Sequence, residues 1–185
     1  MIKIIVIIFF LLNYYNIALA SLKEKIIYNL QVTNNLSFKF IQTVGKNNEE
    51  GYCIIKYDKK IYCEYNDKMK KIIVSNGKSL VIKSRKDGAY YLYPLKKTPL
   101  DLLLDKNFLI SKIKSLEPRE IDNKYVNFEI LENDNKINIF FEKKTFNLVG
   151  WQTEDIYQNL TITFISSLKI NENINENMFK LPKNN

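Results

Sequence analysis

The strongest constraint on this chain is a change of hydrophobic period near Leu36. Before it, Leu22, Ile26 and Leu30 recur every fourth residue, with Ile27 beside them, which makes one apolar face of a helix. After it, Leu36, Phe38 and Phe40 alternate with Ser37, Lys39 and Ile41, the mark of a half-buried strand. Period two then dominates. Gly51–Tyr57 and Ile61–Tyr65 read as a hairpin about Asp58-Lys59-Lys60, after a polar loop at residues 45–50. Lys71–Val74 and Ser79–Lys83 flank Asn76-Gly77, and Asp87-Gly88 precedes Ala89–Tyr93. Asn-Gly and Asp-Gly mark tight hairpins because such turns need residues that tolerate positive φ. Tyr125–Leu131, Lys136–Phe141, Leu148–Asp155 and Asn159–Leu168 continue the meander. With only five Gly and four Pro, no linker and no repeat, residues 21–185 form one domain.

Two helices interrupt this pattern. Ser21 and Glu24 fit a capping box that starts the first, which ends near Asn34-Asn35. In Thr98-Pro99-Leu100-Asp101, Thr caps, Pro takes the first helical position and Asp favours the positive end of a second, very apolar helix. A meander must bury one face of its sheet. It can do so against a second sheet, by closing into a barrel, or by curling around helices. Two apolar helices suffice to plug a curved, unclosed sheet. The expected fold is therefore mainly β (α+β), a single curved antiparallel sheet covered by an N-terminal helix and short helices. The strand residues that share inward parity are Phe38, Phe40, Cys53, Ile55, Ile61, Cys63, Tyr65, Leu80 and Ile82, faced by Leu100, Leu103 and Leu104. Any gap between the two sets is an apolar cavity.

The first twenty residues set the expected compartment. Lys3 gives a basic start, Ile4–Leu12 is unbroken apolar sequence, and Ala18-Leu19-Ala20 precedes Ser21. That is the layout of a secretory signal peptide cleaved after Ala20, and its apolar run is shorter than the roughly 20 residues needed to span a bilayer. No cysteine precedes Cys53, so no N-terminal lipid-attachment site is expected, and the mature protein should be free in its compartment. The net charge of +8 then points to anionic lipid headgroups, an acidic partner or simply a solvated basic surface, rather than to nucleic acid.

Histidine is absent. This excludes Ser-His-Asp and Cys-His catalysis and histidine metal sites, and two cysteines cannot build a four-cysteine zinc site. No enzyme activity, metal or cofactor is expected. Cys53 and Cys63 stand equidistant from Asp58, opposite each other in a symmetric hairpin. They are either a disulfide, as an oxidising compartment favours, or two buried thiols.

Taken together, the residues resemble the outer-membrane lipoprotein carrier (LolA) family of the periplasm over nearly the whole mature chain. Phe40-Ile41-Gln42 is similar to that family's F-x-Q, Gly51 opens the next strand, and Val74-Ser75-Asn76-Gly77-Lys78-Ser79-Leu80 resembles its V-S-D-G-x-x-L turn. Thr98-Pro99-Leu100 with Leu103-Leu104 resembles its T/S-P-x-x-L-L helix, and Phe179-Lys180-Leu181-Pro182 its closing F-x-x-P. The resemblance implies an unclosed β-barrel with a helical lid. It also implies a monomeric carrier of lipoprotein acyl chains, loaded by an ATP-driven inner-membrane complex and emptied at an outer-membrane receptor. Two positions depart. The family's lid-holding Arg-Pro is Tyr57-Asp58 here, which leaves Tyr57 as the candidate lid contact, and its Phe-x-Trp is Ile61-Tyr62-Cys63. Carriage of another envelope lipid such as a glycolipid, a receptor role, and a non-catalytic protein-binding envelope scaffold are the competing readings.

Overall fold

The computed structural model describes residues 22–57, 59–132, 135–154 and 160–184. The signal-peptide and Ser21 cap expectations, and those on Asp58, Asp155 and Asn159, lie outside them. Helix α1 covers residues 22–32. It is followed by β1 (Asn35–Val44), β2 (Asn47–Lys56), β3 (Lys60–Tyr65), β4 (Lys71–Asn76), β5 (Ser79–Ser84) and β6 (Tyr90–Pro94). Helices α2 (Leu100–Leu103) and α3 (Lys106–Ser115) come next. The chain ends with β7 (Arg119–Ile121), β8 (Tyr125–Glu132), β9 (Asn135–Glu142), β10 (Leu148–Glu154), β11 (Leu160–Ile170) and a 3-10 turn at Glu176–Phe179.

All eleven strands form one antiparallel sheet in the order β6-β5-β4-β3-β2-β1-β11-β10-β9-β8-β7. The chain enters the sheet in its middle, walks out to one edge at β6, and must return from the opposite edge at β7. The segment that makes this crossing carries α2 and α3, so topology lays the helices across one face. Edges β6 and β7 do not pair, and the sheet stays unclosed, as expected.

The register fixes which side chains share that inner face. Leu36, Ile55, Ile61, Ser75 and Leu80 are successive cross-strand partners, and so are Phe38, Cys53, Cys63, Ile73 and Ile82. On the other half, Phe128, Ile139 and Trp151 form one row. The buried apolar members of these rows merge with Ile26 and Leu30 of α1 and with Leu103, Leu104, Leu109 and Ile113 into a single core, against which Ile73 packs. The opposite parity is also buried on β2, β4 and β5, at Ile54, Ile72, Val74 and Val81. Phe179, on the 3-10 turn that packs against β3 and β4, is 3% exposed and closes this outer face. Lys56 and Lys60 hold that turn through Glu176.

Three local expectations are corrected. Residues 47–50 are strand, not loop: Val44 pairs directly with Asn47, so the turn shrinks to Gly45-Lys46, with Gly45 at φ +59°. Thr98 does not cap α2 with its side chain; its hydroxyl donates to the Leu95 carbonyl, and Pro99 occupies the cap position. The capping carboxylate belongs to Asp105, which accepts from the Phe108 amide and starts α3, a helix the periodicity reading passed over.

Helices α1 and α3 lock each other at both ends. Lys23 near the start of α1 donates to the carbonyls of Lys114 and Leu116 at the end of α3, both at 3.3 Å. Lys106 at the start of α3 donates to Gln31 and Thr33 at the end of α1, at 3.2 and 2.9 Å. Each lysine meets the orphan carbonyls and negative pole of the other helix. Lys112 ties α3 to β8 through Glu132 at 2.6 Å.

Candidate functional site

Between the sheet and the start of α2 a hollow of about 180 Å³ remains. Its walls are Phe40 and Gln42 from β1, Cys53 from β2, Ile61, Cys63 and Tyr65 from β3, and Ile73 from β4. Pro99 and Leu100 cover it, and Trp151, Thr153, Thr161 and Thr163 close the far side from β10 and β11. Ligand pockets commonly measure about 300–1,000 Å³. In this closed arrangement there is room for part of one hydrocarbon chain.

Gly51 shapes the floor. A Cβ there would stand 2.1 Å from the Glu64 carbonyl oxygen and 2.9 Å from the Phe40 ring, so only glycine lets that ring lie across β2. Phe40 then meets Tyr65 edge-on, with centroids 5.0 Å apart. Cys53 and Cys63 are cross-strand partners with Cα atoms 4.1 Å apart, and their sulfurs are bonded, so the pocket wall carries a disulfide rather than two thiols. Burial pushes the Tyr65 phenol well above its usual pKa, so it stays neutral. The Lys71 ammonium lies 3.9 Å from the Tyr65 ring centroid and pairs with Glu49 at the rim.

Six of the residues expected at the cavity meet at this hollow: Phe40, Cys53, Ile61, Cys63 and Tyr65 from strand parity, and Leu100 from the helix. Phe38, Ile55, Leu80, Leu103 and Leu104 sit instead in the packed core, each at most 4% exposed. Ile82 is half-buried on the inner face beside Ile73, outside both the core and the pocket lining. Tyr57 is buried in the core, with Lys106 Nζ of α3 5.6 Å from its ring centroid. Sequence reasoning missed Ile73, Pro99, Trp151 and the three threonines, and it reaches Gln42 only as part of a motif.

What holds α2 is Lys59. Its ammonium reaches Asp101 at 3.0 Å and Asp105 at 3.1 Å, so one cation at the β2–β3 turn ties down both ends of the α2 segment. Burial lowers the Lys59 pKa, but hydrogen bonds and charge from the two aspartates outweigh it and leave the pKa above the ordinary lysine value. The Lys59 carbonyl in turn accepts from the Ser75 hydroxyl at 2.9 Å, which fixes the turn to β4. The pocket roof is thus a four-residue helix on an ionic latch, beside the interlocked α1–α3 pair.

The outer face carries a second recess, about 320 Å³, around Ile121, Tyr125, Phe140, Gly150, Ile162 and Phe164. No helix among the described residues is long and apolar enough to cross a membrane, and no cluster of acidic or cysteine side chains there could hold a metal ion.

An open sheet, an inner-face hollow and a short latched roof define a recognisable architecture, and a family model decides the matter: outer membrane lipoprotein carrier protein LolA matches residues 31–182. The chain belongs to the LolA family. No curated protein matches it by sequence. Among solved structures, an uncharacterised conserved protein from Thermus thermophilus is similar with a TM-score of 0.54 at 7% identity, over 89% of this chain and 93% of that one. A LolA superfamily protein from Nitrosomonas europaea aligns at 0.48 and 10%, covering 88% and 97%. The Pseudomonas aeruginosa MucA/MucB complex aligns at 0.46 and 10%, covering 89% and 61%. In this LolA-family chain the F-x-Q residues Phe40 and Gln42 both line the pocket, and Gly51 is the residue over which Phe40 lies.

Proposed function

We propose that this chain is a periplasmic carrier that takes lipoprotein acyl chains into the inner-face hollow and shuttles them from the inner to the outer membrane. The observation that carries the reading is a cavity with mostly apolar walls, roofed only by the short latched helix α2, in a member of the LolA family. The secretory layout of residues 1–20, cleaved after Ala20, supports the compartment. An ATP-driven inner-membrane complex would load the monomer and an outer-membrane receptor would empty it, with no catalysis and no cofactor.

The physical logic is graded enclosure. Each buried methylene is worth about 0.8 kcal/mol, so three fully enclosed chains would bind too tightly to be released. A hollow that holds part of one chain keeps the affinity intermediate. Admitting more requires α2 to swing away, and the Lys59 latch sets the cost of that motion. Non-directional apolar contact suits cargo that differs in its protein part but shares its acyl anchor.

Binding of a fluorescent fatty-acyl probe tests the reading. The wild-type chain should bind it saturably, and Leu100→Glu should abolish binding because it places a carboxylate at the roof of the hollow. No binding by the wild type would favour a protein-binding scaffold. Native mass spectrometry of protein taken from the envelope would distinguish lipoprotein from glycolipid cargo.

A further inference from the structure

One wall of the hollow is polar. Opposite Leu100 and the disulfide, Thr153 of β10 and Thr161 of β11 stand directly across from each other, and Thr163 faces Gln42 of β1. Thr163 and Gln42 are already satisfied. The Thr163 hydroxyl donates to Gln42 Oε1 at 3.3 Å, Gln42 Nε2 donates to Glu49 Oε2 at 3.4 Å, and the Tyr65 hydroxyl also bonds Gln42. Thr153 and Thr161 are half-buried, and neither hydroxyl has a hydrogen-bond partner among the described residues. A cavity built only for hydrocarbon would place valine there, which has the same shape without the hydroxyl. Two adjacent neutral donors at the edge of an apolar hollow match the two lone pairs of one carbonyl oxygen.

We propose that Thr153 and Thr161 form a carbonyl-docking subsite, which makes the ligand class an ester- or amide-linked acyl chain rather than a bare alkyl chain. The carbonyl oxygen accepts from the two hydroxyls while the chain runs past Trp151 toward Ile73 and Leu100. The Glu49–Gln42–Thr163 relay behind them holds the wall in place, so the donors are set before the ligand arrives. This inference rests on the carrier reading above and assigns it a specificity element: methylenes supply affinity, and the threonine pair sets how deep the chain sits.

The test uses two probes of equal chain length, an acyl ester and the matching alkyl ether that lacks the carbonyl. Each competes with a fluorescent acyl probe on the full chain. The wild type should prefer the ester by about tenfold, the worth of two neutral hydrogen bonds. T153V/T161V, nearly isosteric, should bind both at the ether level, whereas T153S/T161S, which keeps the donors, should keep the preference. Equal binding of the two probes by the wild type, or a preference retained in the valine variant, overturns the subsite while the carrier reading stands. Failure of the wild type to bind either probe overturns both. Thermal unfolding of each variant, with the single valine variants as further checks, separates lost binding from lost folding.

Discussion

The two halves of the inner face differ in how they are filled. Over β8 and β9, Val126, Phe128, Ile130, Ile137, Ile139 and Phe141 are all at most 1% exposed, under a helix pair whose ends are reciprocally capped by Lys23 and Lys106. Over β1–β4, the same sheet leaves a hollow beneath a four-residue helix held by one lysine. One half is a filled core in which every methylene counts. The other keeps apolar walls without filling them. Stability is thus concentrated where the helices interlock, and binding where the crossing segment is shortest, in keeping with the placement of moving elements in the less stable parts of a fold.

Substitutions can break or sharpen this contrast. The largest effect is expected from Phe128→Ala: a loss of about 3–5 kcal/mol in chemical denaturation, with unchanged acyl-probe affinity for the folded fraction. A parallel fall in affinity would merge the two halves. C53A/C63A removes a cross-link between residues ten apart in sequence and should cost about 2–3 kcal/mol, measured the same way. Ile73→Trp fills the hollow. It should weaken probe binding about tenfold while stability shifts by about 1 kcal/mol or less, below the usual penalty for overpacking a full core. Lys59→Met should have the smallest effect on stability, under about 1 kcal/mol because the pair is partly exposed, yet it should speed probe dissociation several-fold in stopped flow. Because the folded Lys59 pKa is raised, the latch contributes fully below the unfolded value of about 10.4 and is lost as pH climbs through the raised one. Dissociation should therefore accelerate only at strongly alkaline pH.

Most of the sheet was legible because one period ran through it, broken by turn residues at Asn76-Gly77 and Asp87-Gly88. The gaps have physical causes. Residues 47–50 are polar because they lie at the turn end of the β1–β2 hairpin, where the backbone still pairs but few side chains are buried. Helix α3 was hidden by its lysines, although Asp105 as a cap and Leu109, Ile113 and Leu116 at helical spacing were there to be read. In β4, alternation could not choose between Ile73 and its neighbours Ile72 and Val74, because the C-terminal segment buries the outer face as well. The Lys59 latch joins residues remote in sequence, and three strand threonines carry no signal until the sheet places them in a cavity. Strand parity alone found five pocket residues; it could not separate them from Phe38, Ile55 and Leu80, which share that parity on the same half of the sheet but are packed in the core.

The sole tryptophan of the chain supplies the most direct test, since Trp151 lies in the pocket wall and packs edge-on against Phe38 with centroids 6.1 Å apart. Acyl chains brominated along their length quench tryptophan only at close contact. Saturable quenching of Trp151 is predicted, abolished by Leu100→Glu and untouched by Phe164→Ser on the outer face. Binding that leaves Trp151 unquenched, or quenching that follows Phe164 instead of Leu100, would place the hydrocarbon elsewhere and contradict the account.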